Sequence, residues 1–166
     1  LVDFECLERD GYARVPNLIR ASQIAAFEET VSQLAETGLR RKSRDAGDEE
    51  AMSALLKTGG KYRVRLFTNL KNLRIVQEMG DTVRRQMDEA GFLDWAKIQI
   101  PAIWPILRAD PPGEEKYLLP FHQDYATQCL NAWRVWIPLR AANTSQGTMR
   151  VIAGSHRLGY IEHDVS

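Results

Sequence analysis

Pro120-Phe121-His122-Gln123-Asp124 is the stretch on which the reading of this chain turns. Side chains alternate between the two faces of an extended strand, so His122 and Asp124 project from one side while Gln123 points away. An imidazole and a carboxylate placed in this way can close on one metal ion. They supply two members of the facial set of two histidines and one carboxylate. That set leaves three positions open on a non-haem iron(II) for a cosubstrate and oxygen. A His-x-Asp tripeptide is common by chance, and its weight comes from what surrounds it.

Working outward, residues 118–125 read as the strand that carries the pair. Residues 131–139 read as another, with Trp133, Val135, Ile137 and Leu139 on one face and Ala132, Arg134 and Trp136 on the other. A turn at 143–147 leads into an apolar strand at 148–152, and Gly154-Ser155 turns the chain again. Upstream, residues 97–107 are apolar and β-branched but contain Pro101 and Pro105, which suits a sheet edge or a bulged strand. Residues 110–115, with Pro111-Pro112-Gly113, read as a loop.

The N-terminal half has a different period. Phe4, Leu7 and Asp10-Gly11 predict a short helix broken at glycine, followed by a brief strand at 12–15 stopped by Pro16. Over 22–37, Ile24, Phe27, Val31 and Leu34 step by three and four. This is an amphipathic helix, with Ser22 as its cap and Gly38 as its stop. Residues 40–50 are dense in charge and read as a solvated loop, 51–57 as a helical turn, and 62–67 as a half-buried strand with Arg63 and Arg65 on its wetted face. A second helix opens at Asn69 or Asn72, buries Val76, Met79, Val83 and Met87, and closes at Gly91. Helices followed by short strands separated by turns predict a mainly β single domain over 1–166, with a helical and strand part at about 1–96 and a β-sandwich or barrel part at about 97–166.

Composition narrows the function classes. The 166 residues carry 22 basic and 22 acidic side chains, for a formal net charge of zero. A nucleic-acid surface would show a basic excess, so that class is set aside. No apolar run reaches the length of a membrane span, and the first residues do not form a signal peptide. Cys6 and Cys129 lack metal-ligand spacing and read as free thiols of a reducing compartment, with the cytosol as the expected location.

Three motifs, in order, are Phe121-His122-Gln123-Asp124, then Trp136-Ile137-Pro138-Leu139, then Gly147-Thr148-Met149-Arg150-Val151-Ile152-Ala153-Gly154-Ser155-His156. With Gly11-Tyr12 and Pro16 near the start, they resemble the phytanoyl-CoA dioxygenase family of iron(II)/2-oxoglutarate oxygenases. The resemblance implies a double-stranded β-helix (a cupin-like jelly-roll) with N-terminal helices. It implies His122 and Asp124 as iron ligands, and Gln123 and Trp136 at places that line the 2-oxoglutarate pocket. It also implies hydroxylation of a small organic substrate, with molecular oxygen consumed and 2-oxoglutarate decarboxylated to succinate. Related halogenases have a small residue where Asp124 stands, so the carboxylate argues for hydroxylation.

The chain departs from the family pattern in one respect. The family's second histidine ligand, and the basic residue that anchors the far carboxylate of 2-oxoglutarate, lie well downstream of the Gly-Ser-His corner. His156 matches the corner histidine, which is not a ligand, and His163 stands too close to the corner to be the missing one. The expectation is a jelly-roll incomplete at its C-terminus, with both residues beyond Ser166. Two other readings stand beside the oxygenase. One is a non-catalytic jelly-roll binding module that has lost its metal site. The other is a cupin-like metal enzyme without 2-oxoglutarate, for which further histidines near His122 are expected and not found.

Overall fold

The computed structural model describes residues 2–40, 68–98, 105–108, 120–124, 133–140, 142–144 and 148–161, the side chains of 35–40 excepted. The chain divides into two compact units, one of Pro16–Pro111 and one that joins Val2–Val15 to Pro112–Ser166. The opening helix therefore groups with the C-terminal residues. Helix α1 is Phe4–Asp10, α2 is Ala21–Arg40, α3 is Arg74–Glu89 and α4 is Phe92–Trp95, and a 3-10 turn covers Ser155–Leu158.

In the first unit, α3 contacts both α2 and α4. Its predicted stripe is the one the structure buries: Val76, Met79, Val83 and Met87 are all in the core, joined by Thr82. Each such apolar side chain contributes about 1.5–3 kcal/mol relative to its exposed state. Leu18, Ile19, Phe27, Leu70 and Phe92 are buried in the same unit. Gly91, at φ 73°, separates α3 from α4 in the left-handed conformation that glycine adopts without strain. Leu73 stands at the start of α3 and makes no side-chain cap, so neither Asn69 nor Asn72 opens this helix.

Helix α2 differs from its prediction at both ends. Ser22 lies inside the helix rather than at its cap, and the helix continues through Gly38 to Arg40. The cap is Gln23: its Oε1 accepts from the Arg20 backbone N–H at 3.3 Å, while the Arg20 carbonyl accepts from the Gln23 and Ile24 N–H groups. This is the glutamine half of a capping box, made without the usual hydroxyl partner. A glycine inside a helix costs about 1 kcal/mol, too little to end one that neighbouring turns support. Leu34 is 44% exposed, so the stripe on α2 is buried at Phe27 and thins toward the C-terminal end.

Gln23 also ties α2 to α3. Its Nε2 donates to Thr82 Oγ1 at 3.0 Å, and that hydroxyl donates onward to the Glu78 carbonyl at 2.9 Å. Both side chains are buried, and every polar atom of the relay has a partner.

In the second unit, Asp3 caps α1 by accepting from the Cys6 N–H at 2.9 Å, and Gly11 ends it at φ 81° with its N–H on the Leu7 carbonyl. The Gly-Ser-His corner then satisfies the end of the helix. Gly154 N–H donates to the Asp10 carbonyl at 2.8 Å, and Arg157 donates to the Glu8 carbonyl at 2.8 Å. His156 Nε2 reaches the same carbonyl at 3.2 Å. Gly11 is needed here twice over, because a Cβ at that position would collide with the His156 ring as well as strain the backbone. At the helix end the Arg9 guanidinium meets Asp10 Oδ2 at 2.7 Å and holds that carboxyl below its usual range. Local desolvation, then Asp10, push the Cys6 thiol above its own.

Among the described residues no strand is assigned. Residues 12–15, expected as a brief strand, carry none, and neither do 105–108, 120–124, 133–138 or 148–152. The loop at 41–50, the segments at 51–57 and 62–67 with Arg63 and Arg65, residues 99–104, the loop at 110–115, Cys129 and His163 lie outside the described residues. No helix among those described is long and apolar enough to cross a membrane.

Two expected outcomes follow from this packing. Thr82→Val strands the Gln23 amide without its acceptor and should cost about 1–3 kcal/mol in urea denaturation. Adding Gln23→Leu should cost less than the two single changes summed, and strict additivity would show that the two side chains do not act together. Asp10 contributes to stability above the ordinary carboxylate range and loses that contribution as pH falls through its lowered folded value. A carbon-detected NMR titration should place its midpoint below that of an unpaired aspartate, and Arg9→Leu should move it upward.

Candidate metal centre

His122 and Asp124 do converge. His122 Nε2 lies 3.5 Å from Asp124 Oδ1, with the side chains 31% and 44% exposed, so the pair is open to solvent. The orientation of the imidazole comes from its other nitrogen, Nδ1, which lies 2.8 Å from the Pro120 carbonyl. A carbonyl can only accept, so Nδ1 carries the proton in that bond, and Nε2 is left with either a lone pair or a second proton. A carbonyl on the far nitrogen is the usual way a protein fixes the tautomer of a metal-binding histidine.

The donor set fits a divalent cation. An imidazole nitrogen and a carboxylate oxygen each bind such ions at about 2.0–2.2 Å. Two donors on one ion are therefore separated by no more than about 4.4 Å, and 3.5 Å lies within that bound. Without a cation or a proton between them, the two acceptors would repel. Among the described residues no third histidine, cysteine or acid joins the pair to make a group of three.

The carboxylate is held from its other side. Arg134 Nε donates to Asp124 Oδ2 at 2.9 Å, with both side chains 44% exposed. Alternation puts Arg134 on the same face as Trp136 and gives it no role. Nothing in the sequence distinguishes it as the partner of Asp124. Next to the pair, the Arg150 guanidinium sits 5.1 Å from the centre of the Phe121 ring, a cation–π contact that orders the residue before His122.

Gln123 points away from its neighbours, as the period of two requires. Its carboxamide spans residues 159 and 161: Nε2 donates to the Gly159 carbonyl at 2.9 Å, and Oε1 accepts from the Ile161 N–H at 2.8 Å. It supplies one donor and one acceptor, as a peptide group would, to the backbone at residues 159 and 161. Trp136 is 47% exposed. His156 is engaged with the Glu8 carbonyl at the end of α1.

Residues 7–166 match the sequence pattern of the family described as Phytanoyl-CoA dioxygenase (PhyH). The chain belongs to this family. Its members typically use iron(II) and 2-oxoglutarate, and the resemblance first seen in three motifs thus extends over almost the whole sequence. No curated protein and no solved structure gives a significant match.

Gln123→Leu should remove both bonds to residues 159 and 161 and cost about 1–2 kcal/mol, two exposed hydrogen bonds of ordinary strength. The sharper readout is local: the Ile161 amide should exchange with deuterium faster while amides in α3 are unaffected. Unchanged exchange at Ile161 would show that the carboxamide clamp carries no weight in solution.

Proposed function

We propose that this protein is an iron(II)- and 2-oxoglutarate-dependent oxygenase that hydroxylates a small organic substrate, built on a double-stranded β-helix with its helices outside. The observation that supports it most is the convergence of His122 Nε2 and Asp124 Oδ1 in a chain matched by the phytanoyl-CoA dioxygenase family from residue 7 onward.

His122 and Asp124 would hold the iron. When bound, the metal supplies the coupling of 2-oxoglutarate decarboxylation to succinate and carbon dioxide with insertion of one oxygen atom of O2 into a carbon–hydrogen bond. The chain's own residues provide position. The Pro120 carbonyl holds the imidazole in the orientation that turns Nε2 toward the carboxylate, and Gln123 fastens the segment to residues 159 and 161. Asp124 fills the place that a halogenase leaves small for a halide, which favours hydroxylation over halogenation. Family position suggests Trp136 for the wall of the cosubstrate pocket. Cys6 is a free thiol, in keeping with a reducing, cytosolic setting.

Anaerobic addition of iron(II) and 2-oxoglutarate to the protein should give a weak visible charge-transfer band, and admission of oxygen should release succinate. His122→Ala and Asp124→Ala should each lower succinate formation by more than the about 10–100-fold typical of outer partners of a metal site. An Asp124→Ala protein that turns over 2-oxoglutarate at the unmodified rate would sink the assignment.

A further inference from the structure

We infer that Arg134 is a positioning residue for the metal centre, one that restricts Asp124 to a single coordinating oxygen. The inference rests on the reading of His122 and Asp124 as metal ligands and adds a residue that this reading does not contain. Asp124 has two oxygens, and the structure assigns them to different partners. Oδ1 faces His122 Nε2 at 3.5 Å, while Oδ2 accepts a charge-assisted hydrogen bond from Arg134 Nε at 2.9 Å.

The division has a chemical consequence. A carboxylate that chelates with both oxygens occupies two positions on the ion, whereas one that binds through a single oxygen occupies one. A three-residue facial set keeps three positions open only if its carboxylate takes one. With Oδ2 held by a guanidinium, two-oxygen chelation would have to share that oxygen between the ion and the charge-assisted hydrogen bond. Arg134 therefore preserves the open positions without touching the reacting atoms. The planar guanidinium suits this task better than an ammonium, because its donors are fixed in direction and its charge is permanent.

One rival account uses the same contact. A cation beside a metal-binding carboxylate could simply compete with the metal, and removing it would then tighten binding. The two accounts differ in the coordination they leave behind: competition alone changes affinity with the same ligand set, whereas loss of the restraint changes the ligand set itself. Cobalt(II), titrated anaerobically into the folded protein and followed by its visible ligand-field absorption, reports both affinity and coordination number. Arg134→Gln should shift the band intensity as Asp124 gains a second bond to the ion, whichever way the affinity moves. Arg134→Lys should restore little of the spectrum, because an ammonium does not fix the direction of its donors. Circular dichroism checks that each variant is folded. Should Arg134→Gln fail to fold, Arg134→Lys carries the test, because its spectrum must still depart from the unmodified one. An unchanged spectrum, at any affinity, overturns the inference and leaves His122 and Asp124 as ligands. Unmodified protein that binds no cobalt(II) overturns the metal reading itself, and this inference with it.

Discussion

The second unit depends on one arrangement: an imidazole nitrogen and a carboxylate oxygen held side by side, each oriented by a further partner. Both are oriented by groups outside the pair. The Pro120 carbonyl takes the Nδ1 proton, which fixes the ring. Arg134 takes Oδ2, which fixes the carboxylate plane. An imidazole nitrogen and a carboxylate oxygen fixed at this separation are a pair that a cation can bridge.

The helical unit and the site were legible in the sequence to different degrees, for a physical reason. A helix satisfies its backbone within a few residues, so its buried stripe is written locally. Val76, Met79, Val83 and Met87 could be named from spacing alone, and all four are in the core. What escaped was polar. Gln23 and Thr82 occupy core positions because they satisfy one another, and no periodicity marks a buried glutamine. The start of α2 is hidden for the same reason, since it is marked by a glutamine side chain that accepts the N–H of the residue before the helix and not by a serine cap.

In the second unit the legible part was the pair itself. A period of two puts His122 and Asp124 together, and it turns Gln123 away whether or not the segment is laddered. The partners were not legible, because they come from far along the chain. Arg134 is ten residues beyond Asp124, Gly159 and Ile161 lie thirty-six and thirty-eight beyond Gln123, and Glu8 lies 148 before His156. Contacts of that kind are set by topology, and strands carry none of it in local spacing.

These long-range bonds form one continuous path within the unit. The carbonyls at the end of α1 are taken by Gly154, His156 and Arg157. The 3-10 turn that carries the last two ends at Gly159, whose φ of 69° and ψ of −159° fall in a region only glycine occupies comfortably. That conformation aims the Gly159 carbonyl at Gln123 while Ile161 offers its N–H to the same side chain. Gln123 stands between the two residues that converge on the candidate metal position. The Gly-Ser-His corner thus has a use that needs no ligand from it. It anchors the N-terminal helix on one side and, a few residues on, steadies the backbone that presents His122 and Asp124. A histidine committed to a helix carbonyl is then a fastening point rather than a ligand, and its place in the motif follows from the helix it secures.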